Sequence, residues 1–382
     1  MIEKMEYHRL GDYIREVNVR NRDLKVTNLL GLSIEKRFIP SIANTIGTDM
    51  SVYKIVMPKQ FAYVPVTSRN GEKITVALYD GEEPAIISQA YTVFEITDHN
   101  VLLPEYLMMW FRRPEFDRYS RFHSHGSARE VFDWDELCDV MLPVPSIDRQ
   151  REIVAEYETF SNRIRLNEQM IEKLEAAAQA LYRKMFVDGV DMEHLPEGWR
   201  KGTIGDLSEF VVAGVIPNYV EKGDYKVLGQ RCVHNHTIDM NFVKFHIPKP
   251  NCLFVQDGDI LINSTGSGTL GRAGQIFFSP KEPAFDSNMT LVRPIADYAI
   301  DYLGLAIFEK ENYFVQISQG STNQTRLYCS MVKPTELLIP PKDELIRFKE
   351  YVHPLRIEME RRKQENEKLT ELQSLLLARM GK

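Results

Sequence analysis

Three glycines, at positions 266, 268 and 271, form the pattern that comes closest to a known chemical site. The string GSGTLGR over 266–272 fits G-x-G-x-x-G and follows a strand-like segment at 259–263. A dinucleotide fingerprint of this kind needs a helix directly after the glycines to bind phosphate. The residues that follow, AGQIFFSP, are typical of a strand. We therefore favour a glycine-rich loop between strands. A nucleotide-dependent enzyme on a duplicated α/β scaffold, using Gly266–Gly271, is the alternative.

Cysteine and histidine spacing gives a second candidate, a metal site. Cys232, His234 and His236 alternate along a possible strand, and Cys252 could be a fourth ligand. Zinc ligands usually come as two close pairs, whereas Cys252 stands alone, so we predict no metal. The sequence also lacks G-x-S-x-G, H-E-x-x-H and a strong carboxylate–lysine nuclease cluster. These absences favour a binding protein, and we predict no catalytic residues.

Two segments are locally basic and contain interleaved aromatic residues. The segment 112–129 has five arginines against two acidic residues, and 231–249 has three basic residues against one acidic residue. Arginine, lysine and small polar residues are the types that contact DNA phosphates and read base edges. An ordinary solvated helix face would carry the same charge, so charge alone leaves both interpretations open.

Two short strings could bring the backbone close to a duplex because each contains a glycine. SHGS at 124–127 is followed by an arginine at 129, and SQGS at 318–321 is followed by Thr322–Arg326. Arginine pairs well with guanine edges, and asparagine or glutamine pairs with adenine edges. The candidate DNA-binding residues are Arg69, Arg112, Arg113, Arg118, Arg121, His125, Gly126, Ser127, Arg129, Arg231, Lys244, Ser267, Thr269, Arg272, Gly320, Ser321, Thr322, Asn323, Gln324 and Arg326.

The elements that would position these residues occur twice in the chain. Gly11–Asp12 matches Gly205–Asp206, offset by 194, and LPVP at 142–145 matches LIPP at 338–341, offset by 196. Matches in the same order at nearly one offset indicate a duplicated unit, with a period far too long for a solenoid. Short β-type runs and a helical stretch at 103–112 predict a mixed α and β domain over 1–148 and again over 195–342.

Each predicted domain leads into a long amphipathic helix, at 149–190 and at 343–382. Apolar residues alternate four and three apart, as in a coiled-coil seam. The seam comprises Ile153, Tyr157, Phe160, Ile164, Ile171, Leu174, Leu181, Met185, Leu355, Met359, Leu369, Leu376 and Met380. Two such helices most simply pack antiparallel, although each could pack on its own domain instead. Pro354 should kink or restart the second helix.

Charge and composition narrow the class of protein. The 382 residues carry 47 basic and 54 acidic side chains, a net charge of −7, which excludes a polycation that binds DNA by bulk charge. No run of about 18 apolar residues occurs, so we predict no membrane span, and the N-terminus lacks an apolar signal core. Four cysteines without a CxxC pair predict reduced thiols and a cytoplasmic protein.

The whole layout resembles the specificity subunit of type I restriction–modification systems. LPEGW at 195–199 followed by IGDLS resembles the opening of a recognition domain, and GDILINSTGSGTLGR at 258–272 resembles a strand and glycine-rich loop of one class of these domains. FAYVP at 61–65 and IISQAYTVF at 86–94 resemble another class. PSIDRQREIV at 145–154 resembles the junction of domain and helix. The first domain lacks the LPEGW opening, and 343–346 departs from the junction pattern.

This resemblance implies a fold and a function. Two α+β target recognition domains, separated by two long antiparallel coiled-coil helices, would stand in a pseudo-twofold arrangement. Each domain would read one half-site of a bipartite, asymmetric double-stranded DNA target, and the helices would set the spacer. Two methyltransferase subunits and restriction/translocase subunits would be the partners in host defence. They would use S-adenosylmethionine, ATP and Mg, and this chain would bind no cofactor. A coiled-coil scaffold without DNA contact is the remaining alternative.

Overall fold

The chain divides into two compact units that do not follow its linear order. Unit 1 comprises Met1–Arg165 and Asn366–Lys382, and unit 2 comprises Leu166–Glu365. Each unit therefore contains one part of each long helix. The computed structural model describes residues 6–41, 47–68, 71, 73–126, 129–249, 252–277, 283–320 and 325–381.

Unit 1 combines short antiparallel strands with three short helices. The described strands are β1 Tyr7–Arg9, β2 Ile14–Val17, β3 Leu30–Leu32, β4 Phe38–Pro40, β5 Lys54–Val56, β6 Phe61–Tyr63, β7 Val76–Leu78, β8 Ala85–Ile87, β9 Thr92–Ile96 and β10 Met141–Pro143. The short helices are α1 Pro104–Phe111, α2 Pro114–Phe122 and α3 Trp134–Cys138, and the long helix α4 spans Ile147–Phe186. The central sheet has the order β2-β9-β6-β7, and β1 pairs with β10, β3 with β4, and β5 with β8.

Unit 2 has a similar composition of elements. Its described strands are β11 Arg200–Thr203, β12 Ser208–Ala213, β13 Tyr219–Val220, β14 Lys226–Leu228, β15 Val233–His234, β16 Thr237–Ile238, β17 Lys244–His246, β18 Ile260–Asn263, β19 Ala273–Gln275, β20 Ala284–Phe285, β21 Met289–Pro294 and β22 Glu336–Ile339. The helices are α5 Ile300–Phe308, α6 Glu311–Ile317, α7 Cys329–Val332 and the long α8 Lys342–Arg379. Its sheets are β12-β21-β18-β19, β13-β17-β14-β20, β11-β22 and β15-β16.

The two units repeat one framework within a mixed α/β fold. The sheet β2-β9-β6-β7 corresponds strand for strand to β12-β21-β18-β19, and the pair β1-β10 corresponds to β11-β22. Helices α1, α2 and α3 follow the first sheet at the places where α5, α6 and α7 follow the second. The peripheral strands differ, because β13-β17-β14-β20 and β15-β16 replace β3-β4 and β5-β8. The repeat in the sequence is therefore a repeat of the framework, on which different peripheral segments are mounted.

A buried helix covers each central sheet. Helix α1 has an apolar sequence, PEYLMMWF, begins with a proline at its first turn, and buries seven of its eight residues. The ring of Phe61 on β6 stacks on Phe94 of β9 at 4.9 Å and meets Phe111 of α1 edge-on at 5.8 Å. Helix α5 buries eight of its nine residues in the core of unit 2. In each unit, this core holds the central sheet in place. The candidate loops extend from one end of that sheet.

One amide side chain ties the start of α4 to the globular part of unit 1. Gln150 is fully buried, and its Oε1 accepts a hydrogen bond from the backbone N–H of Leu103 at 2.9 Å. Its Nε2 donates to the carbonyl oxygens of Val101 and Pro145, both at 2.8 Å. Leu103 is the N-cap of α1, so this N–H has no partner within the helix. Gln150 thus satisfies three backbone groups at the junction of domain and helix.

Within each unit, the segments of α4 and α8 run antiparallel. In unit 1, Tyr157 shares an apolar cluster with Leu376 and Met380, and Gln373 donates to Ser161 at 2.7 Å. In unit 2, the ring of Phe348 lies 4.9 Å from that of Phe186. Every predicted seam residue is buried or half-buried. No described helix has an apolar stretch long enough to cross a membrane.

The predicted restart of the second helix at Pro354 is wrong. Helix α8 continues through this residue, which lies on the exposed side of the helix. The backbone carbonyl that loses its partner there can bind water, while the neighbours Val352 and Leu355 are held in the apolar core of unit 2. Burial on one side therefore outweighs the single hydrogen bond that proline removes.

Candidate nucleic-acid interface

The glycine-rich string of unit 2 forms a hairpin loop, which we define as residues 264–272, between β18 and β19. The two strands pair antiparallel, and the backbone N–H of Gly271 donates to the carbonyl of Asn263 at 2.9 Å. All three glycines have positive φ, and a Cβ at Gly271 would lie 2.9 Å from the backbone carbonyl oxygen of Glu311. No helix follows this loop, so the phosphate site of a dinucleotide fingerprint lacks its helix N-terminus.

Candidate side chains of this hairpin loop face solvent to different degrees. Ser267 and Arg272 are exposed. Thr269 is half-buried, and its hydroxyl donates to the carbonyl oxygen of Thr265 at 3.3 Å. Arg272 and Ser267 are therefore free to meet a ligand, whereas Thr269 also shapes the loop.

A second loop of unit 2 lies beside the hairpin loop. Gln319 and Arg326 exchange backbone hydrogen bonds of 3.0 and 2.8 Å, and we call the segment 319–326 between them the bridged loop. The backbone N–H of Leu327 donates to the carbonyl of Ser264 at 2.8 Å, which places the two loops side by side. The Arg326 guanidinium donates to the carbonyl of Ser287 at 2.6 Å, so this arginine partly supports the loop. The candidates Ser321, Thr322, Asn323 and Gln324 lie outside the described residues.

Two further cations of unit 2 stack on aromatic rings. The Arg231 guanidinium lies 5.0 Å from the ring centroid of Phe242, and the Lys244 ammonium lies 4.8 Å from that of Tyr219. Both cationic side chains belong to exposed residues. Stacking restricts their rotamers and so lowers the entropy that is lost when they bind an anion.

Glutamine 230 joins Arg231 to the hairpin loop. Its Nε2 donates to the carbonyl oxygen of Thr265 at 2.6 Å, and its own carbonyl accepts from Asn263 Nδ2 at 3.1 Å. Asn263 is fully buried, and Thr265 donates in turn to Asn288 at 3.3 Å. This network of amides and hydroxyls connects segments 35 and 58 residues apart, and sequence reasoning missed it. The polar residues of INST at 262–265 were the available signal.

Unit 1 has the same pair of loops at matching places. Its hairpin loop, residues 64–75, connects β6 and β7, and its bridged loop, 125–131, is closed by backbone bonds between His125 and Val131. The Thr67 hydroxyl donates to the hydroxyl of Ser124 at 3.1 Å, and the Arg121 guanidinium donates to the carbonyl of Gly71. Arg69 and Ser127 lie outside the described residues.

The exposed candidates of unit 1 border these two loops. They lie on α2 or on the bridged loop, and they are Arg118, Arg121, His125, Gly126 and Arg129. Gly126 has φ +134°, and a Cβ there would lie 2.1 Å from the carbonyl oxygen of Arg129. The matching Gly320 of unit 2 has φ +138°. A glycine is therefore required at the same point of both bridged loops.

Two predicted DNA contacts of unit 1 are placed elsewhere. Arg113 is only 7% exposed, and its guanidinium lies 4.1 Å from the ring centroid of Trp110. Arg112 is half-buried over the ring of Tyr157 on α4. Arg112 thus packs on α4, and the Arg113 guanidinium lies beside Gly381, just after the end of α8. This corrects the expectation for Arg113, and we omit both arginines from the proposed contact set.

The cysteine and histidine candidates have separate structural roles. Cys232 is fully buried, and burial raises the pKa of its thiol. His236 contacts Glu175 at 2.6 Å, and its ring stacks on that of Phe308 at 4.2 Å. A cavity of about 400 Å³ opens beside this histidine and is lined by Glu175, His234, Asn235, His236, Arg272, Ala273 and Glu311. Among the described residues, no three His, Cys, Asp or Glu side chains form a group that could hold a metal ion.

Comparison with known proteins shows which proteins this chain resembles. Residues 196–371 match the family described as "Type I restriction modification DNA specificity domain". The MjaIX specificity subunit of Methanocaldococcus jannaschii is 22% identical over 284 residues, which is 66% of this chain and 62% of that protein. The HindI specificity subunit of Haemophilus influenzae is 19% identical over 97% of both chains.

A solved structure shows the same fold along the whole chain. The type I restriction–modification S subunit from M. genitalium superposes with a TM-score of 0.62 and 13% identity, covering 100% of this chain and 98% of that one. Residues 196–371 are therefore a type I restriction modification DNA specificity domain, and the chain as a whole is similar to type I restriction–modification specificity subunits.

Proposed function

We propose that this chain is the non-catalytic subunit that selects the DNA target of a type I restriction–modification complex. One observation carries the proposal. Each unit holds a hairpin loop against a bridged loop at the same end of the same sheet, and both pairs of loops display exposed arginine and small polar side chains. Such side chains can bind phosphates and read base edges in the major groove.

The two units should read different half-sites. The proposed contacts of unit 1 are Arg69, Arg118, Arg121, His125, Gly126, Ser127 and Arg129. Those of unit 2 are Arg231, Lys244, Ser267, Thr269, Arg272, Gly320, Ser321, Thr322, Asn323, Gln324 and Arg326. The framework is shared, but the residue types on the loops differ, so the target should be bipartite and asymmetric.

The long helices should set the distance between the half-sites. Their antiparallel pairing within each unit supports a continuous two-helix spacer with the two recognition domains in pseudo-twofold arrangement. Helix α4 has 40 residues, which corresponds to about 60 Å at 1.5 Å per residue. Recognition domains on one face of the duplex require half-sites about one helical turn apart, roughly 34 Å.

Catalysis should belong to partner subunits. We propose that two methyltransferase subunits bind this chain and carry S-adenosylmethionine, and that restriction/translocase subunits use ATP and Mg. The net charge of −7 supports this division, because a chain without an overall positive charge gains little affinity for DNA from bulk electrostatics. Partner subunits would then supply much of the grip on the backbone, and the complex would act in the cytoplasm.

Adenine-methylation mapping of a genome, with and without this chain, tests the proposed function. We expect one bipartite motif to lose methylation when the chain is deleted and to regain it when the chain is supplied on a plasmid. An unchanged methylation map, in cells where the methyltransferase partner is active, would contradict the proposal. The lost motif also provides the target duplex for the experiments below.

Replacing Gln230 with alanine should weaken recognition of the second half-site only. The variant loses the hydrogen bond to Thr265, worth about 1 kcal/mol, so we expect binding of the target to fall by roughly fivefold as the hairpin loop loosens. Binding is measured with the methyltransferase partner present, on duplexes in which each half-site is altered in turn. Discrimination against duplexes with an altered second half-site should fall. Discrimination against duplexes with an altered first half-site should stay at the wild-type level.

The matched control for this variant is Thr67→Ala in unit 1. Thr67 joins the hairpin loop of that unit to Ser124, directly before the bridged loop, as Gln230 supports the hairpin loop in unit 2. We expect Thr67→Ala to reduce discrimination at the first half-site alone. A uniform loss across all sequences for either variant would indicate that the loops contact phosphates and do not read bases.

A further inference from the structure

A buried ionic cluster in unit 2 connects the recognition domain to α8. Asp301 on α5 is fully buried, and its Oδ2 lies 3.2 Å from Nδ1 of His353. Its Oδ1 lies 4.0 Å from Nε of Arg356 and has no hydrogen-bond partner among the described residues. A buried carboxylate is tolerated only where cations offset its desolvation. Here both cations come from the long helix, so Asp301 depends on α8.

The second cation of the cluster is held firmly. Arg356 is 7% exposed, and its guanidinium lies 4.4 Å from the ring centroid of Phe277 and 5.7 Å from that of Phe308. Burial lowers the pKa of Arg356 to about 10, while the charges of Asp301 and Glu175 act in the opposite direction. The guanidinium therefore remains charged at neutral pH, and loss of Asp301 would remove the larger of the two negative charges that act on it.

A short path leads from Asp301 to the hairpin loop. Helix α5 is fixed to β19 because Nε2 of Gln275 donates to the carbonyl oxygens of Ile300 and Gly258, both at 2.9 Å. Strand β19 begins at Ala273, directly after the hairpin loop. A displacement of α5 on α8 would therefore move the loop that carries Arg272.

The matching junction of unit 1 uses different chemistry. The residue 196 positions before Asp301 is Glu105, which pairs with Lys59 of its own domain. Unit 1 is joined to its long helix by the neutral amide of Gln150, and the residue 195 positions later in unit 2 is Leu345, which is 2% exposed. Of these two contacts, the one at Asp301 is ionic and the one at Gln150 is neutral.

We infer that Asp301 is a positioning residue, which holds the second recognition domain on the long helices through His353 and Arg356 and thereby restricts the spacer length that the protein accepts. This inference rests on the proposed function, in which the helices set the spacer. A second tie limits the effect of losing Asp301, because His236 of the β15–β16 turn also contacts Glu175 of α4. Loss of Asp301 should therefore loosen the domain without detaching it.

The cluster should also respond to pH. The pKa of His353 is raised chiefly by its hydrogen bond to Asp301, and the facing charges are Asp301 from α5, Asp297 from the turn before α5, and Lys349 from α8 itself. A pKa that is raised in the folded state means that protonation of His353 favours the state in which α5 packs on α8. The stabilisation is complete below the ordinary histidine value of about 6.5 and is lost as the pH rises through the raised value. Gln150 does not titrate, so the junction of unit 1 should not share this dependence.

The test uses the full-length chain with its methyltransferase partner and three variants. Asp301→Asn removes the buried charge, and His353→Gln removes one cation at a half-buried position, so it serves if Asp301→Asn fails to fold. Asp297→Asn is the matched control, because it makes the same change on the turn before α5, at a carboxylate whose ion pair with Lys349 of α8 is 75% exposed on the aspartate side and therefore contributes little. Binding is measured on duplexes with the mapped spacer and with one base pair added or removed.

We expect Asp301→Asn and His353→Gln to lower the preference for the mapped spacer by about tenfold, equivalent to 1.4 kcal/mol, with both half-site sequences unchanged. Asp297→Asn should retain the wild-type preference. In the wild type, the backbone amides of α5 should exchange more slowly at pH 6 than at higher pH, by more than the intrinsic pH dependence of exchange accounts for. This additional protection should be absent in Asp301→Asn.

Two results would overturn the inference: wild-type spacer preference in both folded variants, or α5 exchange that Asp301→Asn does not change. The exchange measurement needs no DNA. If the wild-type complex showed no spacer preference at all, the spacer role of the helices would fail, while exchange would still decide whether Asp301 holds α5 on α8.

Discussion

Deleting seven residues from each long helix should shorten the spacer of the recognised site by about three base pairs and leave both half-site sequences unchanged. We choose 168–174 in α4 and 358–364 in α8, because Asn167 hydrogen-bonds Glu365 at 2.9 Å within unit 2 and the segments beyond this pair face each other. Seven residues make nearly two helical turns, so the seam keeps its phase, and they span about 10 Å. At 3.4 Å per base pair, this equals about three base pairs.

Methylation mapping in cells that express the shortened chain and its methyltransferase partner measures this result. Methylation at the original motif should disappear. Three base pairs also turn one half-site by roughly 100° around a duplex of 10–10.5 base pairs per turn, so we expect the new site to be methylated less completely. Deleting 168–174 alone is the control, since it misaligns the two seams and should abolish methylation at both spacings. Changed half-sites with the original spacer would show that the helices do not act as a spacer.

The framework could be predicted from the sequence because duplication leaves local signals. The matched strings at a constant offset predicted two similar domains, and the four-and-three spacing predicted the buried sides of both long helices. Polar side chains also meet between the two long helices within unit 2: Asn167 of α4 accepts a hydrogen bond from Arg362 of α8 at 2.9 Å and donates to Glu365. A polar layer of this kind fixes register between two helices.

The parts that could not be predicted depend on contacts between distant residues. Arg113 and Arg118 lie on neighbouring turns of one basic segment, yet Arg113 packs on Trp110 and Arg118 is exposed. The difference arises because residues 366–381 return to this face of unit 1, far away in the chain. Likewise, the role of Gln150 is set by backbone groups 47 and 49 residues away. Residue type and spacing carry no information about such partners.

Replacing Asp259 with alanine should destabilise unit 2 by about 3–5 kcal/mol, because the Arg293 guanidinium, whose side chain is only 11% exposed, loses its carboxylate partner. Asp259 is 1% exposed, and its two carboxylate oxygens accept from Nε and Nη2 of Arg293 at 2.8 and 2.7 Å. The guanidinium also lies 4.8 Å from the ring centroid of Phe210. This pair joins the start of β18 to β21. For a unit of about 200 residues, each kcal/mol lowers Tm by about 2–4 °C, so Tm should fall by roughly 10 °C.

The homologous sheet of unit 1 supplies the control for Asp259→Ala. Arg15 of β2 pairs with Glu95 of β9, but the Arg15 side chain is 68% exposed, so Arg15→Ala should cost less than about 1 kcal/mol. Thermal unfolding of the full chain, with hydrogen exchange to assign each transition, measures both variants. Replacing the whole pair, Asp259→Leu with Arg293→Met, should recover most of the lost stability, since an apolar pair leaves no buried charge. Equal losses for the double variant and for Asp259→Ala would show that the carboxylate stabilises β18 directly, through its bond from the backbone N–H of Gln256, and not by pairing Arg293.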